Sequence, residues 1–263
     1  MLDNVKEPAA FAAPDCARPD QCVEAMGYAV YNEDLSLIPM NRPCSTVQTI
    51  SPISYGRALK DETYRKAMQE ADWLTLDGVY FGLAGILLKG RTVKPNNGPD
   101  IFYHFMERLQ QRGGRAFFLG ATDETLEKMR TRAAREFPDV AIEVYSPPFK
   151  PEYSDKDNAA MIAAINAFRP DVVFVGIPAP RQEKWAYIHR NRLDACLVAA
   201  IGGVFDWYAG NRPEIAPIWW KLHLGWLIRT IERPELLKRY PHILRFAWHL
   251  LLARIGIKKY PGA

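Results

Sequence analysis

Several absences narrow what this chain does. No stretch of its 263 residues approaches the roughly 18 consecutive apolar residues of a membrane-spanning helix, so no spanning segment is expected. Cysteine is scarce. The four, Cys16, Cys22, Cys44 and Cys196, lack zinc-ligand spacing, which argues against a structural zinc site and suits a reduced, cytosolic chain. Residues 1–26 have no basic start followed by an apolar core, so no secretory signal is read there. Rich in Ala, Pro and Asp, they are expected to form a mobile leader. There is no G-x-G-x-x-G, no P-loop, no G-x-S-x-G elbow and no kinase signature. Motif-bearing dinucleotide enzymes, P-loop NTPases, serine hydrolases and kinases are thereby set aside. The five histidines are scattered, and none sits beside an evident nucleophile.

What is present begins with a core: 48% of residues are hydrophobic, enough for one large globular body. Charge is uneven. Residues 212–263 hold ten Lys/Arg and three Asp/Glu, a balance of +7 within a total of +4, which leaves −3 on the first 211 residues. Trp219, Trp220, Trp226 and Trp248 fall in the same tail. A basic, aromatic tail on a mildly acidic body points to a surface that meets phosphate or anionic lipid. No nucleic-acid module accompanies it, and nucleic acid is not expected as a partner.

Strand signals fall at 28–32, 44–50, 73–76, 115–119, 140–145, 171–176 and 196–201. Helical patterns fall between most of them, at 53–70, 79–89, 99–112, 122–136, 154–168 and 181–192. This alternation predicts an α/β fold, a Rossmann-like, mostly parallel sheet flanked by helices. Residues 27–49 read as a small hairpin with Asn32–Asp34 at its turn. The catalytic body is expected over 27–211, with a helical appendage over 212–263 whose segments lie at about 215–231, 234–240 and 242–257. The last of these is apolar on most sides. It suits either a helix packed on the body or a neighbouring subunit, or one lying in a membrane interface, and the local basic charge favours the membrane.

Chemistry belongs at the carboxyl ends of such strands, where helix N-termini point their amides outward. Val172–Gly176 runs into Pro178 and Pro180, then Arg181, Gln182 and Glu183 open a helix carrying Trp185. The segment aims an amide, an acid and a base at an anion or sugar site, or it is rigid punctuation before a helix. Asp77 and Gly78 follow the strand that begins at Trp73; Asp77 suits a general base, or an N-cap for a helix starting near Val79. Asn96-Asn97-Gly98-Pro99-Asp100 is a turn with Pro at the first helical position, where Asn97, Gly98 and Asp100 either bind a ligand or cap the helix. Gly120 closes a strand in a generic nucleotide-binding corner. Gly202 and Gly203 precede Asp206, which suits a sugar hydroxyl or a turn cap. Asp155-Lys156-Asp157 matches the D-x-D by which many sugar transferases hold a metal. Behind Ser154, however, first-turn acids are accounted for as a cap, and no metal ligands are assigned.

Pro180-Arg181-Gln182-Glu183-Lys184-Trp185, Gly98-Pro99-Asp100 and Gly202 through Gly210 occur in an order that resembles the WecG/TagA/CpsF family of bacterial glycosyltransferases. The resemblance spans about Thr46 to Tyr240. It implies an inverting transferase without cofactor or metal. The donor would be a UDP-sugar and the acceptor a polyprenyl-diphosphate-linked saccharide, met at the inner face of the cell membrane by a peripheral, cytoplasmic enzyme. Such enzymes build exopolysaccharide, capsule or cell-wall polymers. By position, Asp77 matches the family's base and Gln182 its substrate-contacting Gln. Thr49, Ser51, Gly176 and Glu183 join the substrate-binding set, and Arg229 and Arg239 are expected at the diphosphate. Departures are Ser51 in place of Asn, Lys94 as the nearest substitute for an Arg, Ile215 in R-A-P and Gly225 in E-W. They leave the donor open between a hexose and an N-acetylhexosamine. Two other readings are a non-catalytic membrane-associated assembly subunit and a different nucleotide-sugar enzyme such as an epimerase. A homo-oligomer through the apolar tail is also compatible.

Overall fold

A computed structural model describes residues 19–212, 218–219, 222, 225–232 and 234–258; the side chains of 19, 225, 226, 229 and 232 lie outside it. Alternation of side chains sets its layers. In β5 (Arg115–Gly120), Ala116 and Phe118 turn to one face of the sheet, Phe117 and Leu119 to the other, and all four are fully buried. In β7 (Val172–Gly176), Val172 and Phe174 oppose Val173 and Val175 in the same way. Strands buried on both faces read as unbroken apolar runs, and that reading matches parallel pairing. Together with β3 (Ser45–Ile50), β4 (Trp73–Leu76), β6 (Ala141–Tyr145) and β8 (Leu197–Ala200), they form a six-stranded sheet ordered β4-β3-β8-β7-β5-β6, every pair parallel.

One face is covered by α4 (Gly98–Arg112), α5 (Asp123–Glu136) and the short α8 (Val204–Tyr208), through Phe102, Met129 and Phe205 among others. The other is covered by α6 (Asp155–Phe168) and α7 (Arg181–His189), through Ile165 and Trp185. Beyond β4, a third cluster gathers α1 (Pro52–Ala58), α2 (Glu62–Gln69), α3 (Gly82–Lys89) and a two-stranded antiparallel sheet. At the opposite end of the strands from the candidate site, the buried Asp72 carboxylate accepts from the Thr46 amide (2.7 Å) and hydroxyl (2.8 Å) and pairs with Arg190 (3.1 Å). It locks the starts of β3 and β4 to the end of α7.

The start of the chain differs from the expected hairpin. Its two strands are β1 (Cys22–Ala25) and β2 (Tyr28–Tyr31), turning at Met26 and Gly27, both at positive φ. Asn32–Asp34 is no hairpin turn: Asp34 caps the short 3-10 turn Leu35–Leu37, and the strand after it belongs to the main sheet. The paired strand Cys22–Ala25 also falls inside the expected leader. Periodicity missed it because four residues are too few to show alternation. The helix expected over 53–70 is two helices. Asp61 accepts from the Tyr64 amide (2.9 Å) and restarts the chain as an N-cap.

Of the tail, α9 (Gly225–Glu232), a 3-10 stretch Pro234–Arg239 and α10 (Tyr240–Arg254) are described; the expected helix before residue 225 falls mostly outside the described residues. α10 packs on α1 so closely that a Cβ on Gly56 would stand 2.5 Å from the Cβ of His242. Phe246 sits edge-on to Tyr55 (5.5 Å) and beside Phe81 (5.2 Å), and the Tyr55 hydroxyl meets His249 Nδ1 at 2.8 Å. The inward face of this helix is therefore core, while Leu244, Trp248, Leu251 and Ile255 face outward and are exposed. Replacing Phe246 by Ala should cost about 3–5 kcal/mol of stability in urea unfolding; a helix merely hanging from the body would lose almost nothing.

Candidate active site

Asp77 leaves the end of β4 with its amide still bonded to Ile50 of β3 (2.9 Å), and its side chain is exposed. It is not a helix cap. α3 begins at Gly82 with Phe81 in the N-cap position, so the carboxylate stands four residues too early for that role. Gly78 follows at φ +73°, a left-handed conformation that disfavours a Cβ. Its amide donates to the Asn97 side-chain oxygen at 2.6 Å. Asn97 therefore ties the Asp77 turn to the start of α4. Asp100 in turn accepts from the Asn97 amide (2.8 Å), which identifies its carboxylate as a capping group. Gly98 lies against the turn after β8: a Cβ there would meet Val204 at 2.7 Å and the Ile201 carbonyl at 3.2 Å.

The same β8 turn reaches α7. Gly202, at φ +49°, leaves room for the Gln182 carboxamide, whose nitrogen would lie 3.1 Å from an added Cβ. Residues 77–78, 97–98, 201–202 and 182 thus form one continuous set of contacts across the ends of β4, β8 and β7. The segment opening α7 is pinned from several sides. The Ala179–Pro180 peptide is cis, Arg57 donates to the Ala179 carbonyl (3.4 Å), Arg181 donates to the Lys150 carbonyl, Lys184 pairs with Asp61 (2.8 Å), and the Trp185 indole donates to Asn158 (3.1 Å). Most polar residues of this motif therefore hold the backbone. Gln182 is left as the one whose amide group lies at the strand-end turn.

Gln182 and Glu183 are both buried. The Gln182 amide donates to Glu183 Oε1 (2.9 Å), and Gln48 of β3 donates to the Glu183 carbonyl (3.3 Å). Burial holds the Glu183 carboxyl above the usual carboxylate range, outweighing the bond from Gln182 that pulls the other way. Gln48 was not among the expected residues. Its signal was visible: an amide among the β-branched residues Thr46, Val47, Thr49 and Ile50, fully buried here.

The remaining expected residues divide. Thr49 is half-buried, two places before Ser51, whose hydroxyl accepts from the Ser54 amide (3.3 Å) and caps α1. Gly120 and Gly176 pack against each other, and a Cβ on Gly176 would enter the Phe205 ring at 2.3 Å. Close packing accounts for both glycines. Asp206 pairs with Arg212, and Arg239 is an exposed residue at the N-cap of α10. The Arg229 side chain lies outside the described residues. Lys94 pairs with Asp34 (3.3 Å) on the wall of a cavity of about 390 Å³ that also touches Asn96, Asp100, Tyr103 and His104. Asp157 closes a capping box with Ser154 and pairs with Lys150 (2.9 Å), so the D-x-D acids serve the helix start.

The profile of the "Glycosyl transferase WecG/TagA/CpsF family" matches residues 23–260. Similar proteins include a Staphylococcus aureus (strain MW2) protein named N-acetylglucosaminyldiphosphoundecaprenol N-acetyl-beta-D-mannosaminyltransferase. It is 24% identical over 213 residues, covering 81% of this chain and 82% of its own. A protein of the same name from Bacillus spizizenii (strain ATCC 23059 / NRRL B-14472 / W23) is 25% identical over 205 residues, 78% of each chain.

Burial of Glu183 gives a test of this cluster. A carboxyl whose folded-state pKa is raised adds most stability below its unfolded pKa and loses it as pH climbs toward the folded value. Glu183→Gln cannot ionise, so its stability relative to the parent should rise between about pH 5 and about pH 8. Glu183→Ala leaves the Gln182 donor unpaired and should lose about 1–3 kcal/mol even at the lower pH. Urea unfolding at both pH values measures each.

Proposed function

The chain belongs to the WecG/TagA/CpsF family of glycosyl transferases, and on that footing we propose that it moves a hexose or N-acetylhexosamine from a UDP-sugar to a polyprenyl-diphosphate-linked saccharide. The relatives' names specify an undecaprenol-diphosphate acceptor and an N-acetylmannosaminyl group. The observation that carries the reading is Asp77: an exposed carboxylate at a strand's carboxyl end, not used as a cap, on a turn fixed by Asn97. A group so placed accepts a proton from an acceptor hydroxyl as that oxygen attacks the anomeric carbon from the face opposite UDP. The configuration inverts, because one displacement occurs.

Negative charge builds on the departing diphosphate. Backbone amides at helix starts and the tail arginines Arg229 and Arg239 supply donors for it. Gln182, held between Glu183 and Gly202, orients the substrate through its amide. The enzyme works without a bound metal, at the cytoplasmic face of the membrane, as a peripheral protein. Among the described residues no helix is long and apolar enough to cross a membrane.

Asp77→Asn should lower the rate of acceptor-dependent UDP release about 10²–10⁴-fold with its fold intact, the range of a lost general base; near-parental turnover would remove Asp77 from the mechanism. Parental turnover should survive in EDTA. An activity lost to EDTA and restored by a divalent cation would overturn the metal-independent scheme. A chain that releases no UDP with any UDP-sugar and lipid-linked acceptor would return the assembly-subunit reading.

A further inference from the structure

α3 is apolar on both of its faces. Phe81, Ala84 and Leu88 turn inward to the cluster beyond β4. Tyr80, Leu83, Ile86 and Leu87 turn outward along one stripe, and Leu83, Ile86 and Leu87 are 45%, 46% and 48% exposed. A helix with no polar residue between Gly82 and Leu88 is ordinarily covered on all sides. α10, which packs in the same cluster, adds outward-facing Trp248, Leu251 and Ile255. Neither 79–91 nor 240–258 contains a single Asp or Glu, while Lys89, Arg91, Arg245, Arg254 and Lys258 lie along them.

Exposed apolar surface of this kind marks a contact with another body. Charge decides which. A symmetric dimer through this face would set like charge against like, because neither helix carries an acid. An anionic bilayer supplies both hydrocarbon and counter-charge. We propose that the outer face of α3 rests on an anionic lipid bilayer beside the outer face of α10. The stripe begins at Tyr80, three residues after Asp77, so this contact sets the candidate base at the membrane surface, where a lipid-linked acceptor presents its sugar. Only that last consequence rests on the proposed transfer reaction.

The test needs neither donor nor acceptor, so its failure is separable from failure of the transferase reading. The full chain is sedimented with vesicles of equal parts phosphatidylglycerol and phosphatidylethanolamine. Partition of Leu83→Ser/Leu87→Ser should fall at least about tenfold, with its melting temperature unchanged. Ile188→Ser, an exposed position on α7, should bind as the parent does. Ile86→Ser alone is the milder variant should the double one melt early, and its partition should also fall. Parental binding by a folded α3 variant overturns the proposal, as does failure of the parent to bind. A parent that sediments as an oligomer without lipid, and becomes monomeric in the α3 variants, makes this face a subunit contact and overturns it as well.

Discussion

The whole arrangement depends on burying both faces of a parallel sheet. With Phe118 and Phe174 on one side and Val173 and Val175 on the other, no polar group can be placed along the strands without losing its water. Chemistry is forced to the strand ends. There the parallel direction collects every carboxyl terminus on one edge, and the turns after β4, β7 and β8 meet. The contacts among Gly78, Asn97, Gly98, Gly202 and Gln182 follow from that convergence more than from any one motif.

Glycine at those turns serves distance more than flexibility. Gly98 lets α4 approach the β8 turn, and Gly202 leaves space for the Gln182 amide. Gly176 has the same office toward Phe205, so close packing accounts for a glycine expected to contact substrate. The residues beside Gln182 share this character. Arg181, Lys184 and Trp185 each bind a neighbouring element, so the recognisable motif is largely a clamp around one amide and one buried acid.

The tail is not separate from the body. One face of α10 completes the core through Phe246 and Leu250, and the other is left apolar and cationic. The body covers only part of its circumference, so a helix greasy all round keeps an exposed apolar side. α3 repeats the pattern at shorter length.

Sequence by itself determined the parallel α/β class, the strand positions from Trp73 onward, the family, and the strand-end placement of Asp77 and Gln182. Strand runs and helix caps are local, and so they can be read from neighbours in the chain. Tertiary structure alone decided the burial of Glu183 beside Gln48 and the packing role of Gly176. Each depends on what a distant segment places nearby: Phe205 against Gly176, or β3 against the start of α7. For Asp77, spacing alone favours a helix cap, and the fold overturns that reading. The chain takes one more turn, through Tyr80 and Phe81, before α3 begins, and that turn leaves the carboxylate exposed at the strand end.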